Sequence, residues 1–279
     1  MSNSKNTILI RGSLAYEKYP NSFVHDTIPT IREWFTGQLV VSTWKGQEQH
    51  LRGLEGMIDD VVLSDDPGFG CIQSYDRQLI SYKAGMERCS GDLVFVARAD
   101  FCLKKNPFHL WEKVPARRGN DMKVFENRIV IGNMMTISPN KAEPKISNFR
   151  PSDWIQMGTK SDLLKWSGVL QKSHELHSAA TGLTDLSTTE YKSEAYGSEQ
   201  LWLISLLNKY VSEDITLTNY WSCDPYLVWC ALINNFAVFN TRSTIGAYNL
   251  NWDFQPEFHP WYMTEQEYFQ INEQLNGSR

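Results

Sequence analysis

Two spacings of apolar residues alternate over the first hundred positions of this chain. The runs "TILIRG" (7–12), "QLVVSTW" (38–44) and "DLVFVARAD" (92–100) are nearly unbroken until polar or charged residues stop them. Such runs predict strands buried on both faces. Between them, Ile28, Ile31, Trp34 and Phe35 recur at intervals of three and four, the pattern of a helix laid on a sheet. "MIDDVVLSDDPG" (57–68) predicts a further strand closed by an Asp-Pro-Gly turn. "SYDRQLISYKAGMERCSG" (74–91) predicts a helix ended by Ser90-Gly91. The order strand, helix, strand, strand, helix, strand predicts an α/β fold with a mostly parallel, Rossmann-like sheet flanked by helices.

The second half is less regular. "NRIVIGNMMTI" (127–137) predicts a strand pair or one long strand, and "KSDLLKWSGVL" (160–170) a helix capped by Ser161. Residues 172–196 are polar and rich in Ser and Thr, which predicts a surface loop or insertion. "GSEQLWLISLLNKY" (197–210) predicts a helix that Ser198 can cap, with Leu201, Ile204 and Leu207 on one face. "DPYLVWCALINNF" (224–236) predicts another, and the acidic, aromatic tail a short last one. No repeat or low-complexity linker divides the chain. We therefore expect one domain over 1–245, its halves meeting near 105, with a C-terminal extension over 246–279.

Composition narrows the function. A formal net charge of −5 excludes a nucleic-acid protein that relies on broad phosphate neutralisation, while leaving room for a local basic site. Ten Trp and twelve Tyr fit sugar stacking, but an aromatic-rich core explains them more simply. Five cysteines without a CxxC pair read as reduced thiols of a cytoplasmic protein. No stretch nears the ~18 uninterrupted apolar residues of a membrane span, and no signal-peptide pattern opens the chain. Peripheral association with the inner membrane is left open.

In open parallel sheets, ligands bind beyond the carboxyl ends of the strands. Arg11 and Gly12, Thr43 and Trp44, Asp65 and Asp66, and Arg98 and Asp100 fall at those ends. Side chains alternate along a strand, so Arg98 and Asp100 point the same way. A carboxylate for Mg²⁺ or Mn²⁺ beside a guanidinium for phosphate would suit a nucleoside diphosphate. An ion pair that seals the strand's end is an equally good reading. "RGSLAYE" offers one Gly after the first strand, and no GxxxxGK[ST] occurs, which disfavours dinucleotide oxidoreductases and P-loop NTPases. His174 and His177 in "HELH" read as a solvated face, and no GxSxG elbow appears.

The collinear set "VVSTWKG" (40–46), "DDPG" (65–68), "DRQLISYKAG" (76–85), "ARAD" (97–100), "PSDWIQMGTKSDLL" (151–164) and "SEQLWL" (198–203) resembles the WavE lipopolysaccharide-synthesis family. That family looks like a branch of the GT-A-fold, nucleotide-sugar-dependent glycosyltransferases. The resemblance places Arg98 and Asp100 where most GT-A enzymes carry a D-x-D. It implies donor contacts from Asp66, Arg77, Gln78, Arg98 and Asp100, which join the strand-end candidates Arg11, Gly12, Thr43 and Trp44. The family's segment commonly reads K-x-R-S-D, whereas this chain has Val96 and Ala99 at the Lys and Ser positions. Mn²⁺ or Mg²⁺ is the implied cofactor, with Asp100 and His259 as its candidate ligands.

On the acceptor side, the resemblance implies that Asp153 binds a sugar hydroxyl and Trp154 stacks on a ring. It makes Glu199, at the start of a late helix, the candidate base of an inverting reaction. The implied partners are a nucleotide-sugar donor and a glycan or lipid-linked oligosaccharide acceptor of lipopolysaccharide, O-antigen or capsule. A non-catalytic nucleotide- or glycan-binding protein on the same fold remains the alternative.

Overall fold

The computed structural model describes residues 5–15, 24–68, 75–117, 119–134, 136–142, 144, 148–168, 198–211, 215, 222–249, 260 and 262–277. The polar stretch 172–196, with its His174 and His177, lies outside them, as does His259.

The first hundred residues fold in the predicted order: β1 (Asn6–Arg11), α1 (Val24–Arg32), β2 (Gln38–Trp44), β3 (Asp60–Ser64), α2 (Tyr75–Arg88) and β4 (Leu93–Arg98). There follow β5 (Phe101–Cys102), β6 (Ile129–Gly132), β7 (Ile155–Thr159), α3 (Lys160–Ser167) and α4 (Ser198–Tyr210). The chain continues through α5 (Pro225–Ile233), β8 (Phe236–Phe239), α6 (Thr241–Ile245), β9 (Tyr248–Asn249) and α7 (Glu265–Gly277). Seven strands form one sheet in the order β3-β2-β1-β4-β7-β6-β8. All are parallel except β7, which runs against both β4 and β6. A mostly parallel sheet flanked by helices is the architecture the apolar runs imply.

Register explains why the runs look as they do. β1 and β4 are central, pair along their whole lengths, and are buried on both faces. β3 lies at the edge, and its residues alternate between half-buried and exposed. Against this sheet α2 packs unusually close at Gly85, where an added Cβ would lie 2.5 Å from a methyl of Leu9 and 3.0 Å from Cβ of Ser42. The glycine is there for proximity, which brings the first turn of α2, with Arg77 and Gln78, down to the strand ends.

The aromatic richness goes largely into the core. Trp166 of α3 stacks on Trp202 of α4 with centroids 5.0 Å apart, and Tyr75, Tyr82, Phe125 and Phe236 meet the pair at steep or tilted angles. The indole of Trp202 also donates to the backbone carbonyl of Trp166. Helix α7 joins the same interior: Tyr268 is fully buried, donates to Phe236 O at 2.9 Å and accepts from Arg128.

Three expectations change. The segment 127–137 yields only the short β6, beyond which Ile137 makes a single bridge to Tyr262. Helix α3 starts at Lys160, directly from β7, so Thr159 is its cap and accepts from Asp162 N at 3.2 Å, while Ser161 sits inside the first turn. Helix α5 stops at Ile233, capped at its start by Asp224, and Phe236 already belongs to β8. The side chain of Ser198 lies outside the described set.

Candidate functional site

The reversal of β7 builds the site. Because β7 is antiparallel to β4, with Ile155 opposite Ala97, its entry segment Ser152-Asp153-Trp154 arrives at the carboxyl ends of β1 and β4. Backbone hydrogen bonds extend the ladder there: Arg98 N donates to Trp154 O at 3.2 Å, and Ala99 N to Arg11 O at 2.8 Å. Gly12, at φ 101°, turns the chain out of β1 in a conformation that favours glycine, its N–H bonded to Ser42 O at 2.9 Å.

An open cleft of about 490 Å³ lies over these ends, lined by Arg11, Gly12, Ser13, Trp44, Arg77, Gln78, Ser81, Arg98, Ala99 and Asp100. Seven of the nine residues expected on the donor side are among them. Thr43 and Asp66 are not: Thr43 is buried, and Asp66 lies exposed beside Arg77. The Thr43 hydroxyl donates to Gln47 Oε1 at 3.0 Å, which also accepts from Leu14 N at 2.8 Å, tying the loop after β1 to the one after β2. Asp66 grips Arg77 through both carboxylate oxygens and accepts from Gly68 N at 2.9 Å. The Arg77 guanidinium holds the Asp66 carboxyl below its ordinary value.

Each of the three arginines in the lining has one carboxylate and one aromatic ring. Arg11 is 2% exposed, donates to Asp153 Oδ2 at 3.0 Å and Asp153 O at 2.8 Å, and sits 5.2 Å from the Tyr82 ring. Arg77 pairs with Asp66 and lies 6.0 Å from the Trp44 ring. Arg98 pairs with Asp100 through Nε at 3.1 Å and Nη2 at 2.8 Å and lies 5.3 Å from the Trp154 ring. The ion-pair reading of Arg98 and Asp100 thus holds in geometry, and the pair also faces the cleft.

Trp154 is 3% exposed, packed on Phe101 with centroids 5.3 Å apart and covered by Arg98. In this arrangement it supports Arg98 from the core, where sugar stacking had been expected. Asp153 is buried too, held by Arg11 rather than presented to the cleft.

Behind Arg11 lies a buried pair of acids. Glu199 is 6% exposed, and its carboxyl is close enough to Asp153 to feel its charge. Burial first, then the Asp153 charge, push Glu199 up to about 7, while Arg150 opposes the shift from 3.9 Å. Asp153 Oδ1 and Glu199 Oε2 are both buried and receive no hydrogen bond among the described residues. Glu199 does not line the cleft; it reaches it through Asp153 and Arg11. Gln200, its neighbour, donates to Asn148 O at 2.9 Å and fixes the turn that delivers Arg150 and Asp153. Within that turn Phe149 holds φ at 58°, an unusual value for a bulky side chain.

Sequence reasoning missed Arg150, Tyr82 and Gln47. Arg150 carried a signal, a charge three residues before Asp153; the other two are ordinary helix and loop residues that only the fold brings in.

A divalent ion fits these residues poorly. Mg²⁺ and Mn²⁺ take several oxygen ligands, yet Asp100 is 1% exposed and gives both oxygens to Arg98. Among the described residues, no three of His, Cys, Asp and Glu gather as a metal site.

The family model matches residues 7–249. The chain belongs to the WavE lipopolysaccharide synthesis family. The match spans every element of this site, from Arg11 to Glu199. No curated relative matches. HddC from Yersinia pseudotuberculosis, a solved structure, is similar at 8% identity over 57% of this chain and 79% of that one, with a TM-score of 0.38; no inference is drawn from so distant a likeness. Among the described residues, no helix is long and apolar enough to cross a membrane.

Proposed function

We propose that this WavE-family chain is a glycosyltransferase that moves a sugar from a nucleotide-sugar donor to a glycan acceptor of lipopolysaccharide, O-antigen or capsule assembly. One observation carries the proposal: Arg11, Arg77 and Arg98, from three separate elements, converge on one cleft at the carboxyl ends of a parallel sheet. When the sugar leaves its donor, negative charge develops on the departing diphosphate, and fixed guanidinium groups stabilise that charge more than they stabilise the intact donor. Gly12 and Ser13 bring backbone close to the same space, and Gln78 adds an amide.

The acceptor hydroxyl must lose its proton as the new bond forms. Glu199 has a proton affinity raised to near neutral pH, which suits the task. It is buried behind Arg11 and Asp153, so the acceptor hydroxyl must displace that cover to reach it. This assignment favours inversion at the transferred carbon.

A thermal-shift screen of UDP-, GDP-, CMP- and dTDP-sugars tests the reading. A ligand bound only by the folded chain raises its melting temperature, so one nucleotide class should stand out. A chain that binds such a donor yet never releases the nucleotide in the presence of acceptors would be a binding protein and not a transferase.

A further inference from the structure

Resting on the donor-site reading above, we propose that the cleft binds the diphosphate of its ligand with guanidinium groups alone, Arg11, Arg77 and Arg98 supplying the charge a divalent ion would otherwise bring.

The lining presents three guanidinium groups and a single carboxylate. The carboxylate partners of Arg11 and Arg77, Asp153 and Asp66, lie outside the lining. The one acid in the lining, Asp100, is fully engaged by Arg98. An incoming cation at Asp100 would have to displace that guanidinium and then sit beside its positive charge.

The arginines are also oriented in advance. Asp66 and Asp100 each take the Nε–Nη2 edge of their partner, which turns the Nη1 end away from the carboxylate. The rings of Tyr82, Trp44 and Trp154 lie 5.2, 6.0 and 5.3 Å from the guanidinium carbons of Arg11, Arg77 and Arg98 and limit their freedom further. Arg11 adds a buried Nε that has no hydrogen-bond partner among the described groups. A planar fork with five donors matches phosphate oxygens, and holding it in place beforehand removes most of the ordering cost of binding.

Calorimetry of the full chain with inorganic pyrophosphate, and with UDP, GDP, CDP and dTDP, each in EDTA and in excess Mg²⁺ or Mn²⁺, tests the proposal. Pyrophosphate and one nucleotide should bind with affinities that agree within about twofold with and without the ion. Arg77→Gln should weaken both by about tenfold or more. Asp100→Asn, nearly identical in shape, should bind pyrophosphate as tightly as the unaltered chain or more tightly, because it releases a second edge of Arg98. Asp100→Asn combined with Arg98→Gln, which avoids an unpaired buried acid, should weaken it as Arg77→Gln does.

Binding that appears only with Mg²⁺ or Mn²⁺ and is lost in Asp100→Asn overturns the metal-free cradle and leaves the donor reading standing. No binding of any diphosphate in either condition overturns both. Binding in EDTA with no sugar transfer from any donor supports the cradle and overturns the transferase reading.

Discussion

Asp153 and Glu199 are buried neighbours whose charges interact at the rear of the cleft, although one precedes a strand and the other opens a helix. Burial first, then the Asp153 charge, push Glu199 up to about 7. If it takes the acceptor proton, kcat should rise with pH through about 7 and level off above it. Glu199→Gln should lower kcat about 100-fold or more and abolish that rise. Unchanged turnover with the same pH limb would remove Glu199 from the chemistry.

The same shift bears on stability. The folded chain holds the Glu199 proton more tightly than the unfolded chain does, since 4.5 is the ordinary value. Between these values the folded state binds more protons, so this group's contribution is full in acid and declines as pH rises through about 7. Denaturant unfolding of the Glu199→Gln variant across that range should show a flatter pH dependence.

Arg11 and Asp153 form a buried ion pair, and removing one partner leaves the other charge without compensation. Arg11→Met should cost about 3–5 kcal/mol of unfolding free energy. Adding Asp153→Asn should return much of that loss, and chemical denaturation of the two variants measures the difference. Equal stability of the single and double variants would show that the pair is not coupled.

Gly85 ties the fold to the cleft. Gly85→Val should push α2 away from Leu9 and Ser42, costing about 1–3 kcal/mol. Since Arg77 and Gln78 ride on the same helix, diphosphate affinity should fall with it, measurable by calorimetry on the folded fraction.

The stacked indoles Trp166 and Trp202 join α3 to α4 and so hold Glu199 in register with β7. Trp202→Ala should destabilise the chain by about 3–5 kcal/mol, read from its thermal or denaturant midpoint.

The strands β1, β2 and β4 and the helix α2 were legible because uninterrupted apolar runs and a clear helical period leave few alternatives. β7 was not, since Gln156 and Gly158 interrupt its five residues and it passes straight into a helix. That strand decides the site: its reversal is a matter of long-range pairing, which no local pattern records. Residues at the ends of the legible strands fell together as expected, Arg11, Trp44 and Arg98 among them. What the sequence could not show was depth. In "PSDW" an acceptor-binding Asp153 and Trp154 and a turn Asp with a core Trp read equally well; both are buried, Trp154 between Phe101 and Arg98 and Asp153 against Arg11.

The most direct test of the account is transfer itself: nucleotide release from a panel of nucleotide sugars, measured with lipopolysaccharide-core and O-antigen acceptors. The account predicts acceptor-dependent release from one donor class, reduced at least about tenfold in Arg77→Gln. Release that is absent with every donor and acceptor, in a chain that still binds the nucleotide, would contradict it.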